Sequence, residues 1–154
     1  MNLKSILNIA LLIFFTNCCS AQTINPQLDT ALAKKLGADK YGMKSYVFVL
    51  LKSGTNKTTN KAFIDSCFKG HMANIGHLAE TKQLIVAGPF GKNEGDLRGL
   101  FILNVKTIEE ANVLLQSDPA IKTNLLKAEV YPWYGSAAIS EYLEIHDKIW
   151  KENH

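Results

Sequence analysis

The chain has 154 residues, 47% hydrophobic and 20% charged, with a formal net charge of +3. That is the make-up of an ordinary globular domain with extensions, with apolar material enough for a core without disulfides. The charge is too small to point to nucleic acid or an anionic membrane as a partner, and it falls to +2 if residues 1–21, with their single lysine, are removed.

The N-terminus reads as a signal peptide over 1–21. Lys4 supplies a basic start, and Ile6 to Phe15 is an apolar run too short for a comfortable membrane span. Cys19-Ser20-Ala21 fits a small-x-small cleavage site, which places the cut before Gln22 and the protein in the periplasm or outside the cell. The alternative is a lipoprotein acylated at Cys18 or Cys19, for which Phe15, Thr16 and Asn17 make a poor recognition motif. No integral span is expected in the mature chain. After cleavage Cys67 is the sole cysteine, so no internal disulfide framework is available. Its place on an apolar helix stripe reads as a buried, inert thiol.

Residues 22–43 form a lead-in, either a linker with a helical turn or two or a flap packed on the domain. Asp29 can cap a short helix through Leu36, which Gly37 stops. The domain spans 44–135. Ser45 to Lys52 is rich in β-branched and aromatic residues and predicts a strand. A helix follows over about 59–82, with Ile64, Cys67, Phe68, His71, Ile75 and Leu78 on one face and His77 well off it. Gln83 to Pro89 and Arg98 to Val105 predict the second and third strands, joined by a polar turn. Thr107 and Glu110 form a capping box for a helix ending at Ser117-Asp118-Pro119. A short helical turn over 120–126 leads to a fourth strand, Lys127 to Trp133, whose Pro132 suggests an edge. Residues 136–154 read as an amphipathic helix with Ile139, Tyr142, Leu143, His146, Ile149 and Trp150 on one sticky face, docked on the domain or on a second subunit.

Strand, helix, strand, strand, helix, strand is the βαββαβ order of an α+β, ferredoxin-like sandwich, here with an extra C-terminal helix. Both helices of that arrangement cover one face of the sheet. The first three strands are apolar on both faces, so the other face also needs cover, from the C-terminal helix or, more simply, from a second copy in a homodimer.

Three side chains carry candidate chemistry. His71 sits in an apolar stripe, where an imidazole is either a hydrogen-bonded core residue or a general base. Gly70 beside it permits close approach by a ligand or by another helix. Asp118 before Pro119 has the look of a helix N-cap. It can also orient His71, and one carboxylate can do both. Arg98 is the sole arginine, and a guanidinium grips a carboxylate bidentately where lysine cannot; a lone surface arginine at a hairpin base needs no function. Ala87, Gly88 and Gly99 leave room for a ligand or mark bulges. No Cys/His cluster has metal-ligand spacing, and no phosphate loop, nucleophile elbow or dinucleotide fingerprint is present, so neither metal nor cofactor is expected.

The ordered set His71, Leu78, Leu84, Ala87-Gly88-Pro89, Arg98-Gly99, Glu109-Glu110-Ala111, Asp118-Pro119 and Pro132-Trp133 resembles the YciI-like (YCII-related) family over roughly residues 44–135. The resemblance implies a ferredoxin-like dimeric α+β barrel with an active site built on a His–Asp pair, which falls on His71 and Asp118. Most of that family has no assigned reaction. A few relatives are linked to dehydrochlorination of aromatic-ring intermediates, and the fold is shared with muconolactone isomerases and cofactor-free monooxygenases. An export signal, a lead-in and a C-terminal helix set this chain apart from the compact members, and a fold does not transfer a function.

The leading expectation is an exported, cofactor-free lyase or isomerase acting on a small acidic or phenolic molecule. His71 would be the base and Asp118 its orienter. Arg98, with Gly88 and Pro89, would hold the substrate, and backbone N–H groups near Gly88 could share in stabilising its anion. Two other readings stand beside it: a non-catalytic dimeric module that binds a small molecule in the same pocket, and an interaction protein working through its C-terminal helix.

Overall fold

A computed structural model describes residues 25–151. The expected signal peptide and its two cysteines lie outside the described residues.

The lead-in helix α1 (Thr30–Leu36) begins and ends where the sequence places it. The Asp29 carboxylate accepts from the Leu32 amide, and Gly37 closes the helix in the left-handed region at φ 70°. No residue of α1 is buried. Its tie to the rest of the chain is an exposed ion pair from Lys35 to Glu141 at 3.5 Å, a contact worth little in water.

Strand β1 (Met43–Ser53) is followed by helix α2 (Lys61–Glu80), the hairpin β2 (Leu84–Pro89) and β3 (Leu97–Leu103), helix α3 (Ile108–Leu115), the single turn α4 (Pro119–Lys122) and strand β4 (Leu126–Ser136). The sheet order is β2-β3-β1-β4, antiparallel throughout. This is the ferredoxin-like α+β sandwich that the order of elements predicts. Local chemistry agrees with it. Asn60 caps α2 through its side chain, and Thr107 and Glu110 complete the capping box of α3. Pro132 falls on β4, an edge strand, where a missing N–H costs least.

The core lies between the sheet and the helices. Val47, Val49 and Leu51 of β1 pack there with Leu84, Phe101, Leu103, Leu78, Ala111 and Leu115. Cys67 is buried and unbridged, as its place on the stripe suggests. Along β1 the alternate residues Phe48 and Leu50, with Leu100 and Ile102 opposite them, belong to the other face and are only half-buried.

The continuous amphipathic helix expected over 136–154 is not formed. The chain instead makes a 3₁₀ turn, Ala137–Glu141, and a five-residue helix α5, Tyr142–His146. The reason is tertiary. Tyr46, fully buried on the outer face of the sheet, donates its hydroxyl to the Ser136 carbonyl at 3.0 Å and lies 3.3 Å from Ser140 Oγ. Ala137 is buried in the same corner. Pinning the chain there interrupts the helical repeat that Ile139 to Trp150 would otherwise follow, and Ile149 and Trp150 end up exposed. The 3₁₀ turn therefore packs at the Tyr46 corner of that face, and α5 runs on against β2. Among the described residues no helix is long and apolar enough to cross a membrane.

Candidate active site

Helix α2 turns one stripe inward, and its three buried residues are Cys67, His71 and Leu78, spaced four and seven apart. His71 is 8% exposed. Its ring lies near-parallel to Phe101 with centroids 5.9 Å apart, and Phe68 meets it edge-on at 6.0 Å. Two aromatic contacts on different sides fix the imidazole plane.

Asp118 arrives from the α3–α4 junction and is fully buried. One oxygen, Oδ1, caps α4, accepting from the Ala120 amide at 2.9 Å and the Ile121 amide at 3.3 Å. The other, Oδ2, lies 2.6 Å from His71 Nδ1. Cap and orienter are thus the same carboxylate, one oxygen for each task. A carboxylate only accepts, so Nδ1 donates and Nε2 is the nitrogen left for chemistry. Nε2 has no hydrogen-bond partner among the described residues, and no buried side-chain nitrogen or oxygen is both sealed and unpaired. The free nitrogen is therefore accessible.

Gly70 settles between its two readings. A β-carbon there would lie 2.7 Å from Pro119 Cγ, so the missing side chain admits the α4 turn rather than a ligand. That contact brings the first turn of α4, with Asp118 at its cap, against the turn of α2 that carries His71.

His71 borders a cavity of about 540 Å³. Met72 and Ile75 of α2 form one wall, and Ala87, Gly88 and Pro89 of β2 another. Gly99 and Phe101 of β3 and Leu51 of β1 form the floor. Tyr142, Leu143 and His146 of α5 complete the enclosure. Arg98 also borders the cavity and is exposed. The two sheet glycines differ in kind. A β-carbon on Gly88 would meet nothing, so its bareness leaves space. One on Gly99 would lie 2.9 Å from the Gly88 carbonyl, so that glycine lets the two strands approach.

The structure thus brings His71, Asp118, Arg98, Gly88 and Pro89 to one place, four of them on the cavity and Asp118 behind the imidazole. Sequence reasoning missed the α5 wall. The sequence places His146 on an apolar stripe with Tyr142 and Leu143 that docks on the domain or on a second subunit, and nothing in that pattern puts the stripe on the cavity.

No family model matches the chain, and no curated protein matches it. Among solved structures it is similar to 5-chloro-2-hydroxyhydroquinone dehydrochlorinase from Burkholderia phenoliruptrix, in complex with 2,5-dihydroxybenzoquinone. The identity is 21%, over 56% of this chain and 92% of that one, with a TM-score of 0.40. A likeness this distant says nothing of the chemistry at His71.

Proposed function

We propose that the protein is a cofactor-independent acid–base enzyme, a lyase or isomerase acting on a small acidic or phenolic molecule. The observation that carries this reading is the 2.6 Å His71–Asp118 contact, with the free ring nitrogen accessible beside an apolar cavity of ligand size. His71 Nε2 takes a proton from the substrate. The Asp118 carboxylate holds the ring and stabilises the imidazolium that forms. The electron pair left behind moves into a neighbouring bond, expelling a leaving group or shifting a double bond. The imidazolium then returns its proton to the leaving group or to another carbon. Arg98 is the cation available for the developing anion, and Gly88 and Pro89 shape the wall beside it.

A generic probe tests the base without knowledge of the natural substrate. A nitrobenzisoxazole is small, apolar and opened by simple proton abstraction to a coloured phenolate. The wild-type protein should accelerate that ring opening, and His71→Gln should lose the acceleration while melting normally. Saturable binding with no acceleration would favour the non-catalytic binding module instead.

Two further parts belong to this reading. A second copy of the chain covers the outer face of the sheet, where Phe48, Leu50, Leu100 and Ile102 are only half-buried although they belong to its two central strands, β1 and β3. The protein works after export, on the strength of the basic start, apolar run and Cys19-Ser20-Ala21 site at its N-terminus.

A further inference from the structure

The ionisable groups that border the cavity are His71, Arg98, His146 and the phenol of Tyr142; no aspartate or glutamate among the described residues does so. Asp118 lies behind the His71 ring, engaged with His71 Nδ1 and with the amides of α4. The cavity therefore offers a ligand hydrogen-bond donors and positive charge and no anionic wall.

His146 is held for such a role. Its ring stacks on Tyr142, with centroids 5.3 Å apart and planes 16° apart, and its Nδ1 lies 3.4 Å from the Tyr142 hydroxyl. Both residues border the cavity with Leu143 between them, so the face of α5 that carries them is the face that closes the site. Nε2 of His146 has no partner among the described residues. An imidazole whose one nitrogen is engaged and whose ring is stacked has little freedom left to lose on binding.

We propose that His146 is a second polar contact for the ligand: with Arg98 it binds the anionic group of a small aromatic or alicyclic acid, and α5 is a built part of the site rather than a surface appendage. This deepens the acid–base reading and rests on the same cavity being the ligand site. His71 is kept for proton transfer, and the charge recognition is placed on His146 and Arg98. The apolar lining of the cavity strengthens the half-buried His146 contact relative to water, whereas Arg98 is exposed and its contact is screened by solvent.

Benzoate and nitrobenzene share shape and electron count and differ in charge, so the pair isolates the anionic contact. Binding of each is measured by calorimetry or ligand-observed NMR on the folded mature chain. The wild-type protein should prefer benzoate. His146→Phe keeps a ring to stack on Tyr142 and removes the donor. It should weaken benzoate by about tenfold or more while nitrobenzene is unchanged. His146→Gln, which restores a donor, should recover part of the loss. Equal weakening of both probes would reduce His146 to wall packing and overturn the proposal. So would an unchanged benzoate affinity, or a wild-type protein that binds the two probes equally or binds neither. Should His146→Phe fail to fold, His146→Leu compared with His146→Gln reads the same difference. His71→Gln should keep the benzoate preference. A failed nitrobenzisoxazole test therefore leaves this one standing, and each reading can fall alone.

Discussion

Gly70 and Pro119 touch where a single methyl group would not fit: a β-carbon on Gly70 would lie 2.7 Å from Pro119 Cγ. The residue on either side of that contact is a member of the hydrogen-bonded His71–Asp118 pair, since His71 follows Gly70 and Asp118 precedes Pro119. The 2.6 Å His71–Asp118 distance therefore depends on a glycine that contributes no chemistry.

Gly70→Ala should force α4 away from α2. Overpacking costs about 1–3 kcal/mol, and the better helix propensity of alanine returns at most about 1 kcal/mol. The expected outcome is a small loss of stability in urea with a disproportionate loss of turnover, about tenfold or more, because a lengthened dyad is misaligned for proton transfer. A variant as active as the wild type would show that the close packing does not set the dyad.

Asp118 separates its two tasks on substitution. Asp118→Asn keeps an oxygen for the Ala120 and Ile121 amides and turns an N–H toward His71 Nδ1, which drives the ring proton to Nε2. Turnover should fall by about a hundredfold or more, with the fold little affected. Asp118→Ala should lose the cap, about 1 kcal/mol, and also leave a buried imidazole nitrogen unpaired, about 1–3 kcal/mol. Urea denaturation of the two variants beside the rate measurement checks the split. Equal destabilisation of both would contradict it.

Acid should loosen two peripheral ties before it reaches the core. The Lys106 and Thr107 amides, 2.8 and 3.1 Å from Glu110 Oε2, hold that carboxylate below the usual glutamate range. The Tyr134 hydroxyl, with the Met43 and Tyr41 amides, does the same for Asp39. A carboxylate depressed in the folded state stabilises fully above its unfolded pKa, and that stabilisation is lost as pH falls through the folded value. The loss for Glu110 thus begins below about 4.5, its ordinary value, and for Asp39 below about 3.8. Thermal melts taken downward from neutral pH should show Glu110→Gln and Asp39→Asn less stable at neutrality and converging on the wild type in acid. Parallel curves would count against both ties.

The outer face of the sheet makes a prediction about assembly. Ile102 is half-buried on β3, paired with Phe48 of β1 and Val86 of β2. Ile102→Lys should convert a dimer to monomers in sedimentation velocity while costing the isolated fold little, since a lysine can extend along the face and keep its head in water. A wild type that sediments as a monomer at all concentrations would remove the second copy from the account.

Much of the fold is legible in the sequence because its signals are local. Asp29 and Gly37 bound α1, and the Thr107–Glu110 box starts α3. The dyad is legible for a less direct reason. Aspartate before proline is a cap, a cap has a second oxygen, and a histidine in an apolar stripe needs a partner. The C-terminal segment is where the pattern misleads. Ile139 to Trp150 repeats at helical intervals, but Tyr46, 90 and 94 positions earlier than Ser136 and Ser140 with hydroxyl contacts to both, holds the chain in a 3₁₀ turn. No helical period encodes that contact. The α5 wall of the cavity follows from it, so His146 could not be placed beside His71 until the corner at Tyr46 was known.

The two oxygens of Asp118 tie the history of the site to that of the fold. Any chain that has formed the α4 turn has already aimed the carboxylate that arms His71, and any chain that loses the turn disarms it. On the acid–base reading, reactivity at Nε2 would thus gauge native assembly: a partly folded molecule would be inert until the α4 turn is set.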